Sequence, residues 1–86
     1  MSVEIQHKIL ELLYEQWYKN YITGLSIPAL IQLSDYGQNE VNQAIEILES
    51  HALVQKDKLG RYAITVFGID DYEITLPPSV VSNKKQ

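Results

Sequence analysis

Between Gly37 and Gly68 the chain reads GQNEVNQAIEILESHALVQKDKLGRYAITVFG, and this run restricts the fold more than any other. Val41, Ala44, Ile45, Leu48 and Ala52 recur at one-turn spacing, which predicts a helix with one apolar stripe turned to a core. The other face carries Asn39, Asn42, Gln43, Glu46 and Ser50. Leu53 and Val54 open an extended segment, Asp57-Lys58-Leu59-Gly60 has turn chemistry, and Tyr62 to Phe67 is rich in β-branched and aromatic residues. The prediction is a helix at about 38–51 running directly into a hairpin at about 54–67.

Two further helices are predicted upstream. Ser2 is a suitable N-cap for a helix reaching about Asn20, with Glu4 placed where the helix dipole favours an anion. Its apolar residues fall into two stripes: Ile5, Ile9, Leu12 and Leu13 form one, and Leu10, Tyr14, Trp17, Tyr18 and Tyr21 form the other. One stripe suffices to dock a helix on a small core. A second stripe leaves two alternatives open: a central helix with half-exposed tyrosine rings, or an interface with a second copy or a neighbouring domain. Thr23-Gly24 lies in a connector in which Ile22 or Leu25 could add a short strand. Ser26-Ile27-Pro28 then starts a helix to about Ser34, burying Leu30, Ile31 or Leu33. Ser34-Asp35-Tyr36-Gly37 is turn material, so a short helix, a tight turn and a longer helix follow one another.

At 86 residues the chain makes one small domain, with room for one core and none for a large enzyme cleft. It contains no cysteine, which excludes disulfides, zinc–thiolate sites and thiol chemistry. The opening MSVEIQHKIL has neither a basic leader nor an apolar stretch of signal-peptide length, and no run approaches the roughly 18 apolar residues of a bilayer span. A soluble, cytoplasmic protein is expected, with no membrane association. Pro77-Pro78 ends regular structure, and residues 77–86 are expected to form a flexible tail or linker.

The net charge of −4 sits awkwardly with the basic face of most nucleic-acid-binding domains. Its distribution is more informative. Residues 1–53 hold seven acids against Lys8 and Lys19, and residues 63–76 add Asp70, Asp71 and Glu73. Residues 54–62 hold Lys56, Lys58 and Arg61 against Asp57 alone. The hairpin is therefore the one folded segment with a positive balance.

Helix, strand, turn and strand in this order resemble the second half of a winged helix-turn-helix domain. Val41 matches the valine near the start of that superfamily's recognition helix, Leu48-Glu49 the pair near its end, and Ala52-Leu53-Val54 the step into the first wing strand. Tyr62, Ile64, Thr65 and Gly68 match its closing aromatic-x-aliphatic-Thr-x-x-Gly. The resemblance covers about residues 26–73. It implies an α+β, mainly α fold over residues 1–76: three helices plus a two- or three-stranded β-hairpin wing. It also implies that Thr65 caps a short fourth helix from Val66 to about Glu73. Local propensity opposes this, because Ile64-Thr65-Val66-Phe67 is a β-prone run, and predicts strand to about Phe67 with at most a turn or two of helix beyond. Two departures stand out. Ala52 occupies a position usually held by glycine, which predicts a differently built turn, and the third helix has no lysine or arginine.

The function implied by the resemblance is that of a small DNA-binding transcriptional regulator. Gln38, Asn39, Asn42, Gln43 and Glu46 would face the major groove, where amides pair with adenine and a carboxylate accepts from cytosine N4. Lys56, Lys58 and Arg61, with Tyr62 beside them, would hold phosphates. So few cations predict weak, salt-sensitive binding by a monomer, and a homodimer through the first helix would double them. The alternative is an acidic winged-helix protein-interaction module of a larger assembly, which the charge and the aromatic stripe suit equally. Neither His7 nor His51 has a nucleophile or metal-ligand pattern nearby, and Asp70, Asp71 and Glu73 read as a solvated acidic turn. No enzyme activity and no cofactor is expected.

Overall fold

The computed structural model describes residues 3–19 and 24–74. Four helices and one small antiparallel sheet follow in the order α1 (Val3–Lys19), α2 (Ile27–Ser34), α3 (Gln38–Ser50), β1 (Val54–Lys56), β2 (Tyr62–Ile64) and α4 (Val66–Ile74). The fold is mainly helical, with a minor β component. The expected cap at Ser2, helix end at Asn20, aromatic Tyr21, connector residue Ile22 and tail 77–86 lie outside the described residues.

The two middle helices form where their local signals stand. Ser26 adopts extended backbone and its hydroxyl accepts the Ala29 N–H at 3.3 Å, with Pro28 in the first turn. Asp35 closes α2 in the left-handed conformation, φ 69°, and the Ser34 hydroxyl accepts the Tyr36 N–H. At the start of α3 the Glu40 carboxylate reaches back to the Gly37 N–H at 2.8 Å, satisfying one orphan donor. Of the α2 alternatives, Leu30 is wholly buried and Ile31 partly so, while Leu33 points outward.

The turn after α3 corrects the expectation drawn from Ala52. Ala52 itself takes the left-handed conformation, φ 61°. Its N–H bonds the Glu49 carbonyl and the Leu53 N–H bonds the Leu48 carbonyl, both at 2.9 Å. This is the arrangement glycine usually provides, so alanine bears the steric cost of its Cβ instead of avoiding it. Ala52→Gly should raise stability by about 0.5–1 kcal/mol, the lost strain being partly offset by glycine's entropy. Urea denaturation with an unchanged m value would show it.

β1 and β2 pair in the register Val54↔Ile64, Gln55↔Ala63 and Lys56↔Tyr62. On the far side of β2, Leu25 and Tyr62 exchange two backbone hydrogen bonds of 2.8 and 2.7 Å, so the connector does contribute a single bridge. One apolar cluster joins all elements: Ile9, Leu10, Leu13 and Tyr14 of α1, Leu30 of α2, Val41, Ala44, Ile45 and Leu48 of α3, Val54, Tyr62 and Ile64 of the sheet, and Tyr72 of α4.

The end of the hairpin is the largest difference from the sequence-based expectation. Strand stops at Ile64, and Val66–Ile74 is a fourth helix of nine residues, not a turn or two after a strand to Phe67. The Thr65 hydroxyl decides the switch: it donates to the Ala52 carbonyl at 2.6 Å and accepts the Gly68 N–H at 3.1 Å, acting as an N-cap. Asp70, Asp71 and Glu73 accordingly lie on a helix, not in an acidic turn.

That helix answers the question posed by the two stripes of α1. The Tyr72 ring lies 4.6 Å from the Tyr14 ring and 5.4 Å from the His7 ring, and the Tyr14 hydroxyl donates to Glu73 at 2.9 Å. Tyr14 is thereby covered, and both Leu10 and Tyr14 are buried within the domain. They are corrected from interface residues to core residues; Trp17 is half-buried, and Tyr18 is 68% exposed.

Candidate nucleic-acid interface

The outward face of α3 is set by the stripe that it buries. At 100° per residue, Asn39, Gln43, Glu46 and Ser50 fall within about 60° of one another, directly opposite Val41, Ala44, Ile45 and Leu48. All four outward residues are exposed. Gln38 and Glu49 are also exposed but lie to one side of this ridge, and Asn42 beside them is half-buried. Ser50, which the sequence placed on this outward face but not among the base-reading residues, belongs to the ridge. Its hydroxyl donates to the Ile47 carbonyl at 2.7 Å.

Only His51, Ala52 and Leu53 separate α3 from the hairpin, which keeps the two elements adjacent in space as well as in sequence. The hairpin loop is organised by Asp57. One carboxylate oxygen accepts the N–H groups of Leu59 and Arg61 at 2.8 and 2.9 Å, and the other accepts the Arg61 Nε–H at 3.2 Å. Gly60 completes the turn at φ 81°, where a side chain would be strained. The Arg61 N–H holds the Asp57 carboxyl below its ordinary range; desolvation is the next-largest influence and opposes it, and the Leu59 N–H and the guanidinium charge add to the lowering. Because the folded value is depressed, this stabilisation is present at neutral pH and is lost as pH falls through that lowered value.

This clamp revises one predicted contact. Arg61 shares its Nε–H with Asp57 in a part-exposed ion pair, so it is held against the loop where the two lysines are not. Lys56 and Lys58 are exposed and have no carboxylate partner among the described residues; the Lys56 ammonium sits 6.0 Å from the centre of the Tyr62 ring. The Asp57-to-Arg61 spacing, with a glycine between, was a legible turn signal, but the ion pair depends on the closed geometry of the loop.

No protein-family model, curated protein or solved structure matches this chain. Among the described residues, no helix is long and apolar enough to cross a membrane, and no three His, Asp or Glu side chains come together as a metal site. His7 packs on Tyr72, and His51 is the C-cap residue of α3. Among the described residues, one depression lined by Ala52, Val54, Gln55, Ile64, Thr65, Val66 and Phe67 carries two exposed apolar side chains, Val66 and Phe67. Chemically, the α3 ridge offers amides and one carboxylate, and the hairpin that follows it offers two exposed cations.

Proposed function

We propose that this chain is a winged helix-turn-helix domain that binds double-stranded DNA and acts as a transcriptional regulator or the DNA-binding part of one. In this reading α3 enters the major groove and the hairpin lies as a wing on the phosphate backbone. The observation that carries it is the pairing of an outward amide ridge, Asn39 and Gln43, with the uncommitted lysines Lys56 and Lys58 on the element that follows directly. Two phosphate contacts per protomer imply a slope of log K against log salt of about −2. A second copy would double them, and the α1 surface left for such a contact is Trp17 and Tyr18, since Leu10 and Tyr14 are already covered.

The test is a labelled-protein NMR titration with mixed-sequence duplex at low salt, repeated at higher salt. Salt-sensitive shifts on Asn39, Gln43, Lys56, Lys58 and Gly60 are expected. The Lys56→Glu, Lys58→Glu double variant should lose about tenfold or more in affinity, since it reverses both free cations. These two sites are better choices than Arg61, whose replacement would also undo the Asp57 clamp. An unshifted α3 and hairpin would overturn the reading.

A second reading has its own observation. Val66 and Phe67 are 72% and 67% exposed side by side at the start of α4, and Glu46 and Glu49 face outward from α3. Apolar exposure beside an acidic helix suits a protein-interaction module. A silent DNA titration, together with partner capture that Phe67→Ser abolishes, would favour it.

A further inference from the structure

The outward ridge of α3 holds two amides, a carboxylate and a hydroxyl. Its members are Asn39, Gln43, Glu46 and Ser50, and no lysine or arginine occurs anywhere in Gln38–Ser50. Guanine shows only acceptors, N7 and O6, to the major groove, and the usual protein partner for them is an arginine or lysine. Adenine shows an acceptor and a donor, N7 and N6, which a carboxamide matches with its own donor and acceptor. Resting on the DNA-binding reading above, we infer that α3 selects adenine and rejects guanine on the strand it contacts, with Asn39 and Gln43 as the selecting residues and Glu46 as the rejecting one.

The spacing supports two separate adenine contacts. Asn39 and Gln43 are four residues apart, about 6 Å along the helix axis. Two steps along one DNA strand span about 6.8 Å. A helix lying along the groove therefore brings the two amides to bases about two steps apart. Glu46 follows one turn later on the same line. Its carboxylate accepts hydrogen bonds and donates none, so it tolerates the amino group of adenine or cytosine but repels the acceptor edge of guanine.

The experiment is a fluorescence-anisotropy comparison at low salt between two duplexes of equal length. One contains only A·T pairs in mixed order, without runs of adenine, and the other contains only G·C pairs. The A·T duplex should bind tighter by about five- to hundredfold, the range of one bidentate pair. Substituting 7-deazaadenine, which removes N7 from the major groove and leaves the minor groove and base pairing intact, should erase the difference. The Asn39→Ala, Gln43→Ala double variant should erase it too. Equal binding of both duplexes would overturn the base preference and leave the DNA-binding reading standing. A preference that survives 7-deazaadenine would place the discrimination in groove shape and overturn the amide readout. Failure to bind either duplex would overturn the preference and the DNA-binding reading together.

Discussion

Gly68→Val should lower the stability of the domain by about 3 kcal/mol, because α4 rests on the hairpin at this residue without room for a side chain. A Cβ at position 68 would run into the Leu53 carbonyl and the Ile64 side chain. The carbonyl cannot retreat, since it already accepts the Thr65 N–H at 2.9 Å and is fixed in the hairpin. Even alanine is informative. Helix propensity alone favours alanine over glycine by about 1 kcal/mol, whereas a collision with fixed backbone predicts a net loss of about 1–2 kcal/mol. Urea denaturation reads the sign directly. A more stable Gly68→Ala variant would mean that α4 is not seated on Leu53.

The same residue shows where sequence reasoning reached its limit. The middle helices were legible because their determinants are local: a capping serine followed by proline, and a clean one-turn repeat of apolar residues. The outward side of α3 was legible for the same reason, since periodicity that fixes the buried stripe also fixes its opposite. α4 was not, because Ile64-Thr65-Val66-Phe67 favours strand by propensity and turns helical through non-local contacts. Thr65 bonds the carbonyl of Ala52, thirteen residues earlier, and Gly68 permits the close approach to Leu53. Such contacts override a β preference of this size. The pair Thr65 and Gly68 was visible as a motif, yet only the resemblance, not the physics of the local residues, assigned it a helix.

The aromatic stripe of α1 divides for a geometric reason. α4 has nine residues and α1 seventeen, so the cover is roughly half as long as the surface it must protect. Tyr14 lies against it, whereas Tyr18, one turn beyond Tyr14, is 68% exposed. The sequence displayed the whole stripe but gave no sign of the cover's length. The candidate site shows a similar division. Lys56 and Lys58 are exposed on the hairpin, while Arg61 is tied to Asp57 by a loop conformation that composition does not encode.

Tyr72→Ala should have the other large effect, about 3–5 kcal/mol, in line with removal of a buried aromatic ring. Tyr72 is 6% exposed and fills the space between His7 and Tyr14. Total stability for a chain of this size is only about 4–13 kcal/mol, so the variant would be marginal. The pH dependence of the parent protein supplies an independent reading. Burial first, and then the charges of Glu11 and Glu15, raise the Tyr72 hydroxyl above its ordinary value of 10.0. A raised folded value means that its contribution is complete below the unfolded value and is lost as pH rises through the folded one. Stability should therefore fall on the alkaline side of about pH 10, and Tyr72→Phe should flatten that fall.

Loss of Tyr72 should also change how the molecule behaves toward itself. With α4 unseated, Leu10 and Tyr14 join Tyr18 as one continuous apolar surface on α1, and sedimentation should show association that increases with concentration. The parent chain keeps most of that surface covered, so self-association through α1 in the native state would have to rest on Trp17 and Tyr18. Comparing the two proteins at equal concentration separates a native pairing surface from one created by damage. Association in both, abolished in the parent by Tyr18→Ser, would make the exposed end of α1 a true interface. Association in the variant alone would make α4 the element that keeps the domain monomeric. A variant that stays folded and monomeric would show that Tyr72 does not hold α4 in place, which contradicts its burial between His7 and Tyr14.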